Sequence, residues 1–157
     1  ASDEEAVLEN KIAEYDAFLT KQDPAFTVEE LEEAMQKVMD QYAGGIGTHY
    51  QFNEKQLAMA EEKIKKLQIL AKGLAAADMH ELMFIYKLKE RLTVCLTVIA
   101  HLRARKETRW HSFAENLDYP EKSDAWLCYV NSKKNGDQIT MIRRDLVKGG
   151  ETYEHRD

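Results

Sequence analysis

The stretch DMHELMFIYKLKERLTVCLTVIAHLRARKE, from Asp78 to Glu107, contains neither proline nor glycine. Leu82, Ile85, Leu88, Leu92, Leu96, Ile99 and Leu102 recur within it at steps of three or four, the spacing of one helix face. Asp78 followed three residues later by Glu81 is the pattern that caps a helix start. The spacing predicts one helix over about 78–107, roughly 45 Å long at 1.5 Å per residue. A helix that long outruns what a small free-standing bundle can cover. Its neighbours must cover it in turn, or a partner surface must.

Working back from it, three shorter helices are predicted. The nearest starts at Asn53, with Gln56 in the reciprocal capping position and Phe52 placed as a staple; Leu57, Ala60, Ile64, Leu67 and Ala71 form its apolar stripe and Gly73 ends it. Before that, Thr27 and Glu30 make a capping box ahead of Leu31, Met35, Val38, Met39 and Tyr42. Gly44-Gly45-Ile46-Gly47 closes this helix; no strand precedes these glycines and no G-x-G-x-x-G or G-K-[ST] frame contains them, so they read as a helix end and not a phosphate loop. The first helix is predicted over about Asp3 to Thr20, with Ala6, Leu8, Ile12, Tyr15 and Leu19 on or near one stripe, broken at Gln22-Asp23-Pro24.

Past Trp110 the period changes. Asp118-Tyr119-Pro120-Glu121 predicts a turn, Trp126 to Asn131 a strand and Gln138 to Arg143 its partner. Asn135-Gly136 between them predicts a type I′ turn, because both central positions of that turn need positive φ. A lone hairpin is marginal in water and must lie against the helices or another domain. The fold class is therefore mainly α: an antiparallel bundle of three to four helices, one very long, with a C-terminal β-hairpin. The chain reads as a single domain, with the bundle over about 3–109, the turn and hairpin over about 118–145 and a flexible tail over 146–157.

The 157 residues, 44% apolar and 32% charged with two prolines, suit one helix-rich globular domain and exclude collagen-like or disordered classes. No run approaches the ~20 apolar residues of a membrane span, and no basic-plus-apolar leader opens the sequence, so a cytoplasmic protein is expected. Charge is lopsided: residues 1–62 hold 15 acids and 4 bases, and residues 63–157 hold 13 acids and 18 bases. Oppositely charged helices packing together explain this, and an overall net charge of −6 argues against a nucleic-acid partner. Cys95 and Cys128 read as two reduced core thiols.

No chemistry-bearing constellation emerges. The five histidines form neither H-E-x-x-H nor E-x-x-H, so no metal site is expected, and no Ser or Cys lies in a nucleophile motif. Arg103, Arg105, Lys106 and Arg109 cluster where the long helix ends. Three readings stay open: cations complementing the helix dipole, an ion-pair network docking this end, or an anion site.

The segment His101-Leu-Arg-Ala-Arg-Lys-Glu-Thr-Arg109-Trp110, then Asp118-Tyr-Pro-Glu121, Trp126 and Val130-Asn131-Ser132-Lys133, resembles the C-terminal domain of the fumarate reductase/succinate dehydrogenase flavoprotein family. In that family an R-x-R-x-E-S-R-G stretch closes a long helix; here Thr108 and Trp110 stand for the Ser and Gly. The aromatic, together with Gln36 to Tyr42, Ala60 to Lys63, Asp78 to Leu82 and Trp126 to Lys133, is more similar to the branch of adenylylsulfate (APS) reductase alpha subunits. His111 to Asn116 and Arg143-Arg144-Asp145 depart from that pattern.

The resemblance implies a domain of an oxidoreductase, not a catalytic unit in itself. FAD belongs to the intact parent, in an N-terminal flavin domain, and no catalytic or cofactor residue is carried onto this chain. The implied partners are that flavin domain and an electron-transferring iron–sulfur beta subunit. Arg103, Arg105, Glu107 and Arg109 are the ion-pair candidates, inside the domain or across an interface, with Trp110 and Trp126 beside them. The alternative is a free-standing helical module that binds a protein partner through its Arg-rich end.

Overall fold

Each α-helix among the described residues starts at a side chain that caps it. The computed structural model describes residues 2–147, and the four helices are α1 (Asp3–Thr20), α2 (Val28–Tyr42), α3 (Glu54–Ala71) and α4 (Met79–Ala104). Thr27 and Glu30 exchange the two expected bonds at α2, and Ser2 with Glu5 forms a second such box at α1. At α3 only half the box closes: Asn53 Oδ1 accepts the Gln56 N–H at 2.8 Å, while Gln56 Oε1 is buried without a partner. At α4, Asp78 accepts the Glu81 N–H, and Glu81 reaches past the cap to the Ala77 N–H at 2.7 Å.

The core lies where α3 packs between α2 and α4. All five stripe residues of α3 are buried, as are Leu31 and Met35 of α2 and Leu82, Ile85, Leu88, Leu92 and Ile99 of α4. Leu57, Ile64, Ile85 and Leu92 are fully enclosed; each contributes about 1.5–3 kcal/mol by leaving water.

The expected stripe of α1 is not its buried face. Leu8 and Ile12 are exposed, and the enclosed residue is Phe18, with Tyr15 and Leu19 partly covered. The reason is that α1 meets α4 from Lys11 onward, with Lys11 Nζ 4.7 Å from the Tyr86 ring. Tyr15 and Phe18 meet Tyr86 of α4 edge-on at 5.3 and 6.0 Å, Glu14 pairs with Lys89 at 2.5 Å, and Phe18 O accepts the Ala76 N–H.

Two pairs of strands complete the fold. β1 (Gln51–Phe52) and β2 (Glu115–Asn116) form a two-residue parallel pair that no periodicity announces. β3 (Cys128–Asn135) and β4 (Gln138–Asp145) form the expected hairpin, which leans on α4. Its turn sits one residue later than expected: Asn135 pairs with Gln138, leaving Gly136 and Asp137 as the central residues. Only Gly136, at φ 61°, is left-handed, the pattern of a type II′ turn, which demands glycine at the first central position. Cys95 and Cys128 are free thiols, half-buried and not enclosed. From Lys148 onward the tail expected over 146–157 lies outside the described residues. No helix among the described residues is long and apolar enough to cross a membrane.

Candidate functional site: a glutamate clasped by two arginines

The long helix stops at Ala104, three residues short of the expected end, with Arg105 already extended at ψ 106°. That early exit has a chemical consequence. Side chains two apart on a helix point away from each other. Arg105, Glu107 and Arg109 converge in the bent, non-helical segment that follows the helix end.

They converge tightly. Glu107 Oε1 accepts from Arg105 Nη1 at 2.8 Å and from Arg109 Nε at 2.9 Å. Its Oε2 accepts from Arg109 Nη2 at 2.9 Å and from the Ser123 N–H at 3.0 Å. The Glu107 side chain is 0% exposed. Burial by itself would raise its carboxyl, but the donors from Arg109, the Ser123 amide and Arg105 outweigh it and hold the group below the ordinary carboxylate range.

The arginines carry the clasp outward. Arg105 donates to the carbonyls of Trp126 at 2.7 Å and Cys128 at 2.9 Å, tying the helix end to the start of β3. Arg109 reaches the Ser123 carbonyl. Trp126 is half-buried, its ring 4.2 Å from the Arg143 guanidinium and 5.9 Å from that of Arg105. Behind them Thr108 is buried: its hydroxyl accepts the Asn116 N–H at 3.0 Å and donates to Tyr119 O at 2.8 Å. A hydroxyl at that position holds the return of the chain from β2.

Two of the six candidates stand apart. Arg103, still helical, turns to α3 and pairs with Glu54 and Glu61, which joins the acidic N-terminal half of the sequence to the basic C-terminal half. Trp110, next to Arg109, is 68% exposed. Of the cationic cluster, Arg103, Arg105 and Arg109 each pair with a carboxylate of this chain. Ser123, Asn116 and Arg143 act around the clasp without any signal of their own in the sequence.

A cleft of about 470 Å³ lies between α3, α4 and the hairpin tip, floored by Leu96, Ile99, Ile139 and Met141. Its rim cations, Lys65 and Arg103, are already paired with Glu61. Among the described residues no three His, Cys, Asp or Glu side chains are placed to hold a metal.

The residues present do not fit the flavin that the resemblance implies for the parent. A dinucleotide needs a strand leading into an open helix N-terminus. Here β1 leads into α3, whose first amides are taken by Asn53 and by Asp118, which accepts the Glu54 N–H at 2.7 Å. The glycine loop is likewise self-filled: Asp40 accepts the Gly47 N–H at 3.0 Å, and a Cβ at Gly45 or Gly47 would collide with Asp40. Gly44, at φ 72°, simply closes α2.

Comparison with known proteins agrees with this geometry. Residues 32–151 match the family described as fumarate reductase flavoprotein C-term. The alpha subunit of adenylylsulfate reductase from Megalodesulfovibrio gigas is 33% identical over 98 residues, which are 62% of this chain and 15% of that protein. The structure of adenylylsulfate reductase from the hyperthermophile Archaeoglobus fulgidus superimposes with a TM-score of 0.84 at 32% identity, over 97% of this chain and 26% of its own. Quinol fumarate reductase from E. coli shares the fold at 18% identity, with a TM-score of 0.70 over 96% of this chain and 26% of its own. This chain spans about a quarter or less of the length of these relatives. The family match covers most of the chain, which therefore belongs to the fumarate reductase flavoprotein C-terminal family, with adenylylsulfate reductase alpha subunits among its homologues.

Proposed function

We propose that this chain is the C-terminal helical domain of an FAD-dependent oxidoreductase alpha subunit of the APS reductase/fumarate reductase kind, with a structural and docking role. FAD and the reacting centre then belong to the upstream part of the parent, which acts in the cytoplasm and passes electrons to or from an iron–sulfur beta subunit. The observation that carries this reading is the family match over a chain about one quarter the length of its structural relative. The site supports it as well. Every charge of the Arg105–Glu107–Arg109 clasp is used to fasten the domain's own loops. The docking contribution of these residues is therefore indirect: they hold in shape the surface that the domain presents.

The test is an immunoblot of the source cells with an antibody against this chain, followed by purification of the recognised species. We expect a polypeptide several times larger than 18.2 kDa that carries flavin absorbance. A native band at the size of this chain, free of flavin, would overturn the reading and favour a free-standing interaction module.

A further inference from the structure

The two turns that meet at the β1–β2 pair present aromatic side chains with nothing over them. Trp110 is 68% exposed and Phe113 73%, with Ile46 and Tyr50 exposed on the facing turn. These are not loose side chains on a wandering loop. The Phe113 and Ala114 N–H groups both donate to Trp110 O, at 2.9 and 3.0 Å, and the Glu115 N–H donates to Tyr50 O at 2.9 Å. Resting on the reading above, we propose that this knuckle of Ile46, Tyr50, Trp110 and Phe113 is the face on which the upstream part of the parent chain sits.

The backbone supplies an independent observation. His49 and Tyr50 are consecutive non-glycine residues in the left-handed region, at φ 54° and 62°. A bulky residue there costs energy, and strain of this kind persists where surrounding structure and function require it. Here it lies in the turn that carries Tyr50, whose carbonyl accepts the Glu115 N–H, and the Tyr50 N–H bond to Gly45 O at 3.0 Å helps to hold it.

The chemistry selects the occupant. Charged groups around the knuckle are engaged inward: Arg109 with Glu107, Glu115 with the Gln51 amide, Asp118 with the Glu54 N–H. Outward stand His49, His111 and Ser112 beside the four large apolar and aromatic side chains; it is the aromatic area, not a net charge, that dominates, as in a permanent contact rather than a charge-steered transient one. The matching family is a C-terminal one and this chain is 26% of its structural relative, so the rest of such a parent precedes it. A permanent apolar contact within that chain is the natural cover.

Hydroxyl-radical footprinting of the full-length parent chain, purified without other subunits, tests this. We expect Trp110 and Phe113 to react roughly tenfold more slowly than in the same chain unfolded in urea, since interface cores are packed like protein interiors. Near-unfolded reactivity in the lone chain would overturn the proposal. So would protection that appears only at raised protein concentration, which points to a second copy, or only after a partner subunit is added. In the double variant Trp110→Ala, Phe113→Ala we expect faster hydrogen exchange in upstream segments while α3 and α4 keep their protection; unchanged upstream exchange would contradict it. A native polypeptide no longer than this chain would overturn both the domain reading and this surface. A longer polypeptide with reactive Trp110 would overturn this surface alone.

Discussion

Helix α3 and the segment from Arg105 to Cys128 both lie against α4, yet opposite forces hold them. The α3 contact is a stripe of five buried apolar residues, Leu57 to Ala71, in which each side chain contributes through area removed from water. The segment beyond α4 has little apolar burial. It is fastened by one enclosed carboxylate, two arginines and a threonine hydroxyl that collect backbone groups from Asn116 to Cys128. The stripe is redundant, since losing one member leaves the others in place. The clasp is not, since Glu107 alone joins both arginines to each other and to the Ser123 amide. A region stabilised by area should weaken in proportion to what is removed, and one stabilised by a single buried charge should open as a unit.

Substitutions can break that contrast at either end. The largest effect is expected in the core: Leu92→Ala, at a fully enclosed position, should cost roughly 2–5 kcal/mol, with α2, α3 and α4 weakened together in a denaturant melt. Next is Glu107→Ala, which leaves two arginines facing each other. Arg105 is one-third exposed, so water relieves part of the penalty, and about 3 kcal/mol is expected. Its signature is local: hydrogen exchange should rise across 105–128 while α3 stays protected. A uniform rise through α3 would erase the distinction between the two regions. The smallest effect sharpens the picture. Thr27→Ala removes a closed capping box and should cost about 1 kcal/mol, seen in the melt as a shifted midpoint with unchanged slope.

The same contrast explains what could be read from the sequence. Area-stabilised elements have a period, and α2, α3 and α4 were legible from it, with caps at Thr27, Asn53 and Asp78. The stripe of α1 misled because Leu8 and Ile12 continue the period of Tyr15 and Leu19 yet stand exposed. The hairpin turn was placed one residue early because Asn-Gly fits type I′, while the pairing of Asn135 with Gln138 put glycine first. The clasp was harder. Its arginines were visible as a cluster, but their partners lie up to 23 residues away, as backbone groups with no compositional trace. The β1–β2 pair, two residues on each side, is too short to carry any period. Function was legible only through resemblance, since no catalytic motif stands in the sequence.

One pH titration tests the central contrast most directly. Glu107 has its carboxyl lowered in the folded chain, so its contribution is complete above the ordinary carboxylate pKa and is lost as pH falls through the lowered value. Hydrogen exchange, corrected for the intrinsic pH dependence, would be followed by segment from about pH 5 to about pH 2. We expect amides of 105–128 to open while the amides of α3 remain protected. Glu14, held at about 2 chiefly by its bond to Lys89, should let α1 go only at the acid end of that range. Loss of 105–128 and α3 together at one pH, or loss of α3 first, would contradict the assignment of the clasp as a separately fastened unit.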